Sequence, residues 1–146
     1  MIWLLFMMKE QNLIIVSASI LIMTFIAFIP SLNNGFTNWD DPVNVLGNAK
    51  IKELSWNSIT NICTSRRPND FYKPLTELSF VLEYHFFGLN PGFYHATNLL
   101  FHLLNCFLVF WLILLLSGRI GISFITALLF GIHPLHVDPG TGIVQE

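Results

Sequence analysis

Two groups of residues in this chain have the types and spacing to do chemistry. The first is an adjacent pair of carboxylates, Asp40 and Asp41, delivered by the turn-forming run Asn33-Asn34-Gly35-Phe36-Thr37-Asn38-Trp39 and followed by Pro42. One carboxylate of such a pair can take a proton from an acceptor hydroxyl while the other orients it or holds a cation. Proline biases Asp41 toward an extended backbone and suits the first position of a short helix, so Asp41 is expected to act as an N-cap. Asp40 is then the freer of the two, with Trp39 shielding it from water. Turn and cap formation by both carboxylates is the competing reading.

The second group is His95, Asn98, His102 and Asn105, spaced by three, four and three. At 3.6 residues per turn that spacing lays all four along one narrow stripe of a helix. The surrounding sequence is strongly apolar, and polar side chains at such depth are expected to face a protein interior or a wet cavity. Hydrogen bonding between helices would account for the stripe. With His133 and His136 approaching from the next apolar run, the imidazoles would instead form a hydrogen-bonding vestibule for an anionic ligand head, with Asp40 above it. His95 and His102, seven apart, also suit a haem or a metal ion. The run His133-Pro134-Leu135-His136 with Asp138 is a poorer metal pattern, because proline disturbs the ligand spacing. No ligand set fixes a cofactor; a divalent cation is compatible with the acidic pair.

Two further charged groups stand between these sets. Arg66-Arg67-Pro68 places adjacent guanidiniums where they could grip a lipid phosphate bidentately, or simply be solvated. Lys73 and Glu77, four apart, read as a helical surface pair.

The elements that carry these residues are set by composition. The chain has 146 residues, 53% of them hydrophobic and 11% charged, with a mean hydropathy of +0.61, a balance better suited to lipid than to a water-facing surface. Its 7 basic and 9 acidic residues leave a net charge of -2, and no basic run could neutralise a row of phosphates, so nucleic-acid binding is excluded. Cys63 and Cys106 fall in different segments and imply no disulfide framework.

Residues 13–30 are uncharged and long enough for a first membrane span, read as an uncleaved signal anchor. The apolar start, Met1 to Met8, is cut off by Lys9-Glu10-Gln11-Asn12 and reads as an interfacial piece of a cytoplasmic segment, 1–12. Residues 95–116 form a second span, 117–119 a cytoplasmic turn, 120–137 a third span broken near its outer end by Pro134, and 138–146 an atypical tail. Lys9 and Arg119 mark the cytoplasmic side, which sends the loop 31–94 to the periplasm or a lumen. Within that loop, Ile51, Leu54, Trp56, Ile59 and Ile62 suggest short amphipathic helices lying on the bilayer. Pro74 to Phe87 reads as an interfacial or re-entrant helix that opens on proline and closes at Gly88. The expected fold is an all-α membrane protein: three transmembrane helices, with interfacial helices in the first outer loop. The expected location is a bacterial inner membrane or the endoplasmic reticulum.

Four motifs occur in order: F-T-N-W-D-D from Phe36, K-P-L-T-E-L-S-F from Lys73, Y-H-A-T-N-L-L-F-H-L-L-N from Tyr94 and L-L-F-G-I-H-P-L-H-V from Leu128. Together they resemble the transmembrane and tetratricopeptide-repeat O-mannosyltransferase-like family and its bacterial relatives. The resemblance implies the N-terminal part of a GT-C fold, in a polytopic glycosyltransferase that moves a sugar, mannose, from a polyprenyl-phosphate or dolichyl-phosphate carrier to a protein hydroxyl. Its implied partners are that lipid-linked sugar, an acceptor protein and the bilayer. Carried over by residue, Asp40 and Asp41 match the acidic motif of the first outer loop. His95, Asn98, His102, Asn105, His133 and His136 match other motif positions and, with Arg66, Arg67 and Lys73, form the candidate substrate-binding set. Lys73 stands where the family pattern leads one to expect arginine, and Asp138 where it leads one to expect glutamate. Because the family has more spans and a repeat domain, the sequence is expected to be a fragment or a degraded copy, inactive alone. A membrane haem or metal protein built on His95 and His102, or a non-catalytic scaffold subunit, are the other readings.

Overall fold

The computed structural model describes residues 2–36, 41–64 and 72–133, with residues 2–11 described by their backbone only. All regular structure among the described residues is helical. Five α-helices run in order, α1 (Ile2–Phe28), α2 (Trp56–Thr64), α3 (Pro74–Phe87), α4 (Pro91–Ser117) and α5 (Ile120–Ile132), with short 3₁₀ turns at Ile29–Asn33 and Ala49–Lys52 and a π-type turn at Pro42–Leu46. The described residues divide into two compact units, one of residues 2–31 with 96–133, the other of residues 32–36, 41–64 and 72–95.

The first unit is built from the apolar helices. Two stretches among the described residues are long and apolar enough to cross a bilayer, Asn12–Asn33 and Pro91–Ser117, and only 11% and 17% of them is buried within the protein. So little burial sets them apart from the core helix of a water-soluble domain, whose apolar face is covered by the rest of the chain. The helix α1 starts well before the expected boundary at residue 13, since Lys9, Glu10, Gln11 and Asn12 include no glycine or proline and continue its backbone. Past Phe28 it tightens into the 3₁₀ turn around Pro30, which lacks the N–H that an α-turn needs, and Ser31 Oγ caps the Phe28 carbonyl at 2.7 Å. Three serine hydroxyls within these helices are satisfied locally, Ser17 donating to Leu13 O at 2.8 Å, Ser117 to Ile113 O at 2.7 Å and Ser123 to Arg119 O at 2.9 Å, so these three need no partner from lipid; Thr24 Oγ1 is buried with no hydrogen-bond partner among the described residues.

Helix α4 opens at Pro91, a residue pre-set for the first helical position, with Asn90 Oδ1 accepting the Gly92 N–H at 3.2 Å. It closes at Gly118, whose φ of 64° lets its N–H reach Leu114 O at 2.9 Å. Ile20, Cys106, Phe110 and Ala127, from α1, α4 and α5, form the core of this unit. Where α5 crosses, Gly131 has no room for a side chain: a Cβ there would run into Thr24 Oγ1 and lie 3.1 Å from Cys106 Sγ. The third span expected over 120–137 is a helix of 13 residues in the structure, roughly 20 Å long. It stops at His133, which is extended (φ −69°, ψ 130°) as the residue before a proline tends to be. By length, α5 falls short of the ~30 Å hydrocarbon layer.

The second unit has its own core of Val45, Ile51, Ile62, Val81 and Tyr94, flanked by Phe36, Leu78 and Phe80. This revises the expectation for the loop helices. Ile51 and Ile62 are 0% and 2% exposed, so the apolar face of the Ala49–Lys52 turn and of α2 is turned into the unit and packs on α3 rather than lying flat on a bilayer. Trp56 and Leu54 remain outside, the indole 76% exposed. Helix α3 has the expected bounds, Pro74 in its first turn and Gly88 beyond its end. Gly88 adopts φ 61°, ψ −143°, a conformation essentially closed to other residues.

Candidate active site

The site is built around the chain on either side of the acidic motif. Upstream, the segment ending at Phe36 is held by the first turn of α4. His95 is 5% exposed, and its Nε2 lies 3.3 Å from Gly35 O. A carbonyl can only accept, so Nε2 carries the proton. Beside it, Tyr94 meets Phe36 edge to face at 5.4 Å and donates its hydroxyl hydrogen to Gly88 O at 3.2 Å. Gly92 allows this approach, since a Cβ there would sit 3.2 Å from Leu32 O. His95 Nδ1 is buried and has no hydrogen-bond partner among the described residues.

Downstream, Asp41 and Pro42 lead into the π-type turn, closed by the Gly47 N–H on Pro42 O at 2.8 Å. Asp41 was expected to be extended and to cap; instead its backbone is helical (φ −62°, ψ −38°) and its side chain makes no capping bond. A side-chain cap needs β-region dihedrals, which turn the carboxylate back onto the following amides, and the helical conformation turns it away. The following 3₁₀ turn, Ala49–Lys52, does have a side-chain cap: Asn48 accepts from the Lys50 N–H at 3.1 Å and donates to Asn44 O at 3.0 Å. Asn44 in turn accepts from Lys73 Nζ at 3.0 Å. Lys73 therefore reaches back 29 residues to the turn behind the acidic motif and not along its own helix to Glu77. Val45, 2% exposed, fixes the same turn in the core.

Asp40, Arg66, Arg67 and His136 lie outside the described residues. The two ends of the segment bearing the arginines are drawn together, because Tyr72 donates to Cys63 O at 2.6 Å.

The stripe on α4 separates into two faces. His102 is half-buried, with Nε2 donating to Gly131 O at 2.9 Å and Phe28 and Phe130 flanking its ring at 5.0 and 5.9 Å. It supplies a donor to one of the final carbonyls of α5, which the helix itself leaves unpaired. Asn98 and Asn105 are exposed, contrary to the expectation that the whole stripe looks inward. The reason is angular: a span of three, four and three residues still covers an arc, and α1 and α5 pack against the Cys106 edge of it. His133 is exposed at the end of α5. Each of His95 and His102 spends its Nε2 proton on a backbone carbonyl, so metal ligation through that atom would cost a hydrogen bond. No group of three or more His, Cys, Asp or Glu side chains suited to a metal ion occurs among the described residues.

Three features escaped the sequence reading: Gly35 as the acceptor for His95, Asn44 as the acceptor for Lys73, and the burial of Glu83, 5% exposed in α3. Of these only Glu83 left a trace, as a charge within an apolar run; the other two are contacts across 60 and 29 residues. A polar groove of about 350 Å³, lined by Lys50, Glu53, Ser55, Asn57, Ser58 and Asn61, opens beside α2 and presents amides and both signs of charge.

Comparison with known proteins points in one direction. The chain is 31% identical over 123 residues to protein O-mannosyl-transferase TMTC1 of Homo sapiens, covering 78% of this chain and 14% of that protein. This chain is similar to protein O-mannosyl-transferases. It is 30% identical over 142 residues to protein O-mannosyl-transferase Tmtc1 of Drosophila melanogaster, with 84% of this chain and 15% of the relative covered. Against protein O-mannosyl-transferase TMTC2 of Homo sapiens the identity is 41% over 75 residues, 50% of this chain and 9% of the relative. The chain thus spans between 8% and 15% of the length of such relatives. No family model and no solved structure matches it.

Proposed function

We propose that this chain carries the acidic outer loop and first spans of a membrane O-mannosyltransferase of GT-C type. Its donor is mannose on a polyprenyl phosphate and its acceptor a protein hydroxyl, on the non-cytoplasmic face. The observation that carries the reading is the bracing of both flanks of the acidic motif. His95 and Tyr94 hold the chain entering it, and Val45 with the Asn44–Lys73 bond holds the chain leaving it. A base must sit within hydrogen-bond reach of the proton it removes, and a loop fixed on both sides can keep it there.

In this mechanism Asp40 takes the acceptor proton as the oxygen attacks the anomeric carbon, and Asp41 orients the acceptor or a bound cation. The departing polyprenyl phosphate already carries negative charge and needs little acid assistance, so the stabilising contacts fall to hydrogen-bond donors and cations. Arg66 and Arg67 are assigned to that phosphate. Lys73 is assigned to positioning, since its ammonium is engaged by Asn44. His133 and His136 are assigned to the vestibule at the end of α5, with residues 120–137 completing a third span. Because the chain spans so small a share of its relatives, the reading also holds that transfer requires parts these 146 residues do not include.

The test is mannosyl transfer to an acceptor protein by membranes containing the chain joined to the remainder of a relative. Asp40→Asn is expected to lower the rate by at least ~10²-fold with membrane insertion intact. Unchanged transfer in that variant would remove Asp40 as base, and persistent partner binding without any transfer would favour a scaffold role.

A further inference from the structure

Asparagine is thermally labile, most of all when a small residue follows it, because the next backbone nitrogen can then reach its carboxamide carbon. Asn34-Gly35, Asn48-Ala49 and Asn57-Ser58 all meet that condition in the sequence. The fold separates them. Asn57 and Ser58 lie in the first turn of α2, where the Ser58 N–H donates to Ser55 Oγ at 3.2 Å and the helical backbone keeps that nitrogen turned from the preceding side chain. Asn48 has its carboxamide engaged at both ends, by the Lys50 N–H at 3.1 Å and by Asn44 O at 3.0 Å. Asn34 and Gly35 stand in neither a helix nor a turn, and the Gly35 nitrogen donates to no described residue.

The hold of α4 on this segment leaves the reactive atoms alone. His95 grips the peptide after Gly35, through its carbonyl oxygen at 3.3 Å. The nitrogen that would attack belongs to the peptide before it. Gly35 also has no Cβ to shield that nitrogen.

We infer that Asn34 is a site of spontaneous deamidation whose isoaspartyl product loosens the entry to the acidic motif. The Gly35 nitrogen gives its proton to solvent base and bonds to Asn34 Cγ. The Cγ–Nδ2 bond breaks, and ammonia leaves a five-membered succinimide. Water then opens the ring at either carbonyl, giving aspartate or isoaspartate. Only water is consumed, so the reaction needs no ligand and no partner chain. In isoaspartate the main chain runs through the former side chain and is longer by one carbon just before Gly35. The Gly35 bond to His95 and the Phe36 contact with Tyr94, at 5.4 Å, cannot both survive that insertion. The modification stands apart from the transferase reading, whereas its effect on transfer rests on that reading.

The experiment is peptide mass spectrometry of the full chain in membranes, aged at mildly alkaline pH, with isoaspartate counted by enzymatic methylation from labelled S-adenosylmethionine. Asn34 should convert while Asn48 and Asn57 stay intact. Gly35→Ala should slow conversion about tenfold, equivalent to ~1.4 kcal/mol of barrier. The added methyl meets nothing within 4 Å, so the segment keeps its fold. An intact Asn34 after a free peptide of residues 32–36 has fully converted, conversion of Asn57 at the same pace, or an unslowed Gly35→Ala would each overturn the inference. In the chain joined to the remainder of a relative, transfer should fall as isoaspartate accumulates, and Gly35→Ala should hold its own starting rate over the same period. Equal decline in both would overturn the effect on transfer. Absence of transfer from fresh membranes would instead count against the transferase reading, with the mass measurement still deciding the modification.

Discussion

Thr24, His102, Cys106 and Gly131 show how closely three helices can meet when one position carries no side chain. A Cβ on Gly131 has nowhere to go, because Thr24 and Cys106 are both fully buried and cannot swing aside. Gly131→Ala is therefore expected to destabilise the apolar unit by about 1–3 kcal/mol, the usual range for overpacking. Thr24→Ala removes the obstructing hydroxyl, so the double variant should recover most of that loss. Thermal unfolding in one fixed detergent would read both, and simple additivity of the two changes would show that the close approach is not the cause. His102 belongs to the same junction through its bond to Gly131 O. The polar stripe was visible in the sequence, but its spacing alone could not assign His102 to a helix end and Asn98 to an outer face. That division depends on where the neighbouring helices pack.

At the level of elements, several helix ends marked by proline or glycine were legible, whereas the starts of α1 and α4 and the end of α5 were not. Pro74 and Gly88 bracket α3 where the sequence places them, and Gly118 ends α4. Because Gly88 occupies a region closed to side chains, Gly88→Ala should cost roughly 1–3 kcal/mol. Hydrogen exchange should show the penalty as faster opening of the last turn of α3, including the Gly88 amide bonded to Tyr84 O. Unchanged exchange there would mean that the chain re-routes without strain. Less legible were the loop helices. The pattern Ile51, Ile59, Ile62 gives an apolar face but does not name what covers it, and the core formed with Val81 and Tyr94 competes with a bilayer for that face. The acidic turn was misread for a related reason: a proline raises the odds of an extended neighbour, yet the π-type turn and the burial of Val45 hold Asp41 helical. Lys73 likewise found a partner 29 residues away in preference to one four residues along.

For the molecule as a whole, the two thiols provide an internal gauge of topology. Cys63 is exposed and Cys106 is fully buried in the helical core. A membrane-impermeant maleimide should therefore modify one thiol per chain. Under the proposed topology it should do so only from the non-cytoplasmic side of sealed vesicles. Labelling confined to the cytoplasmic side would invert the loop and place the acidic motif away from a lumenal or periplasmic acceptor. Detergent should add no second modification unless the core of Ile20, Cys106, Phe110 and Ala127 has opened.

The brevity of α5 reaches beyond the protein to its surroundings. The helical part of the third segment, 13 residues, is roughly 10 Å shorter than the hydrocarbon layer, so unless the residues after His133 complete the crossing the apolar belt has a step there. The sheet of lipid has to pucker to meet such a step, and the penalty grows with every carbon added to its tails. Reconstituted in 14-carbon phospholipid, the chain should melt at a higher temperature than in 20-carbon phospholipid. Equal melting in both would mean that the notch is filled by protein.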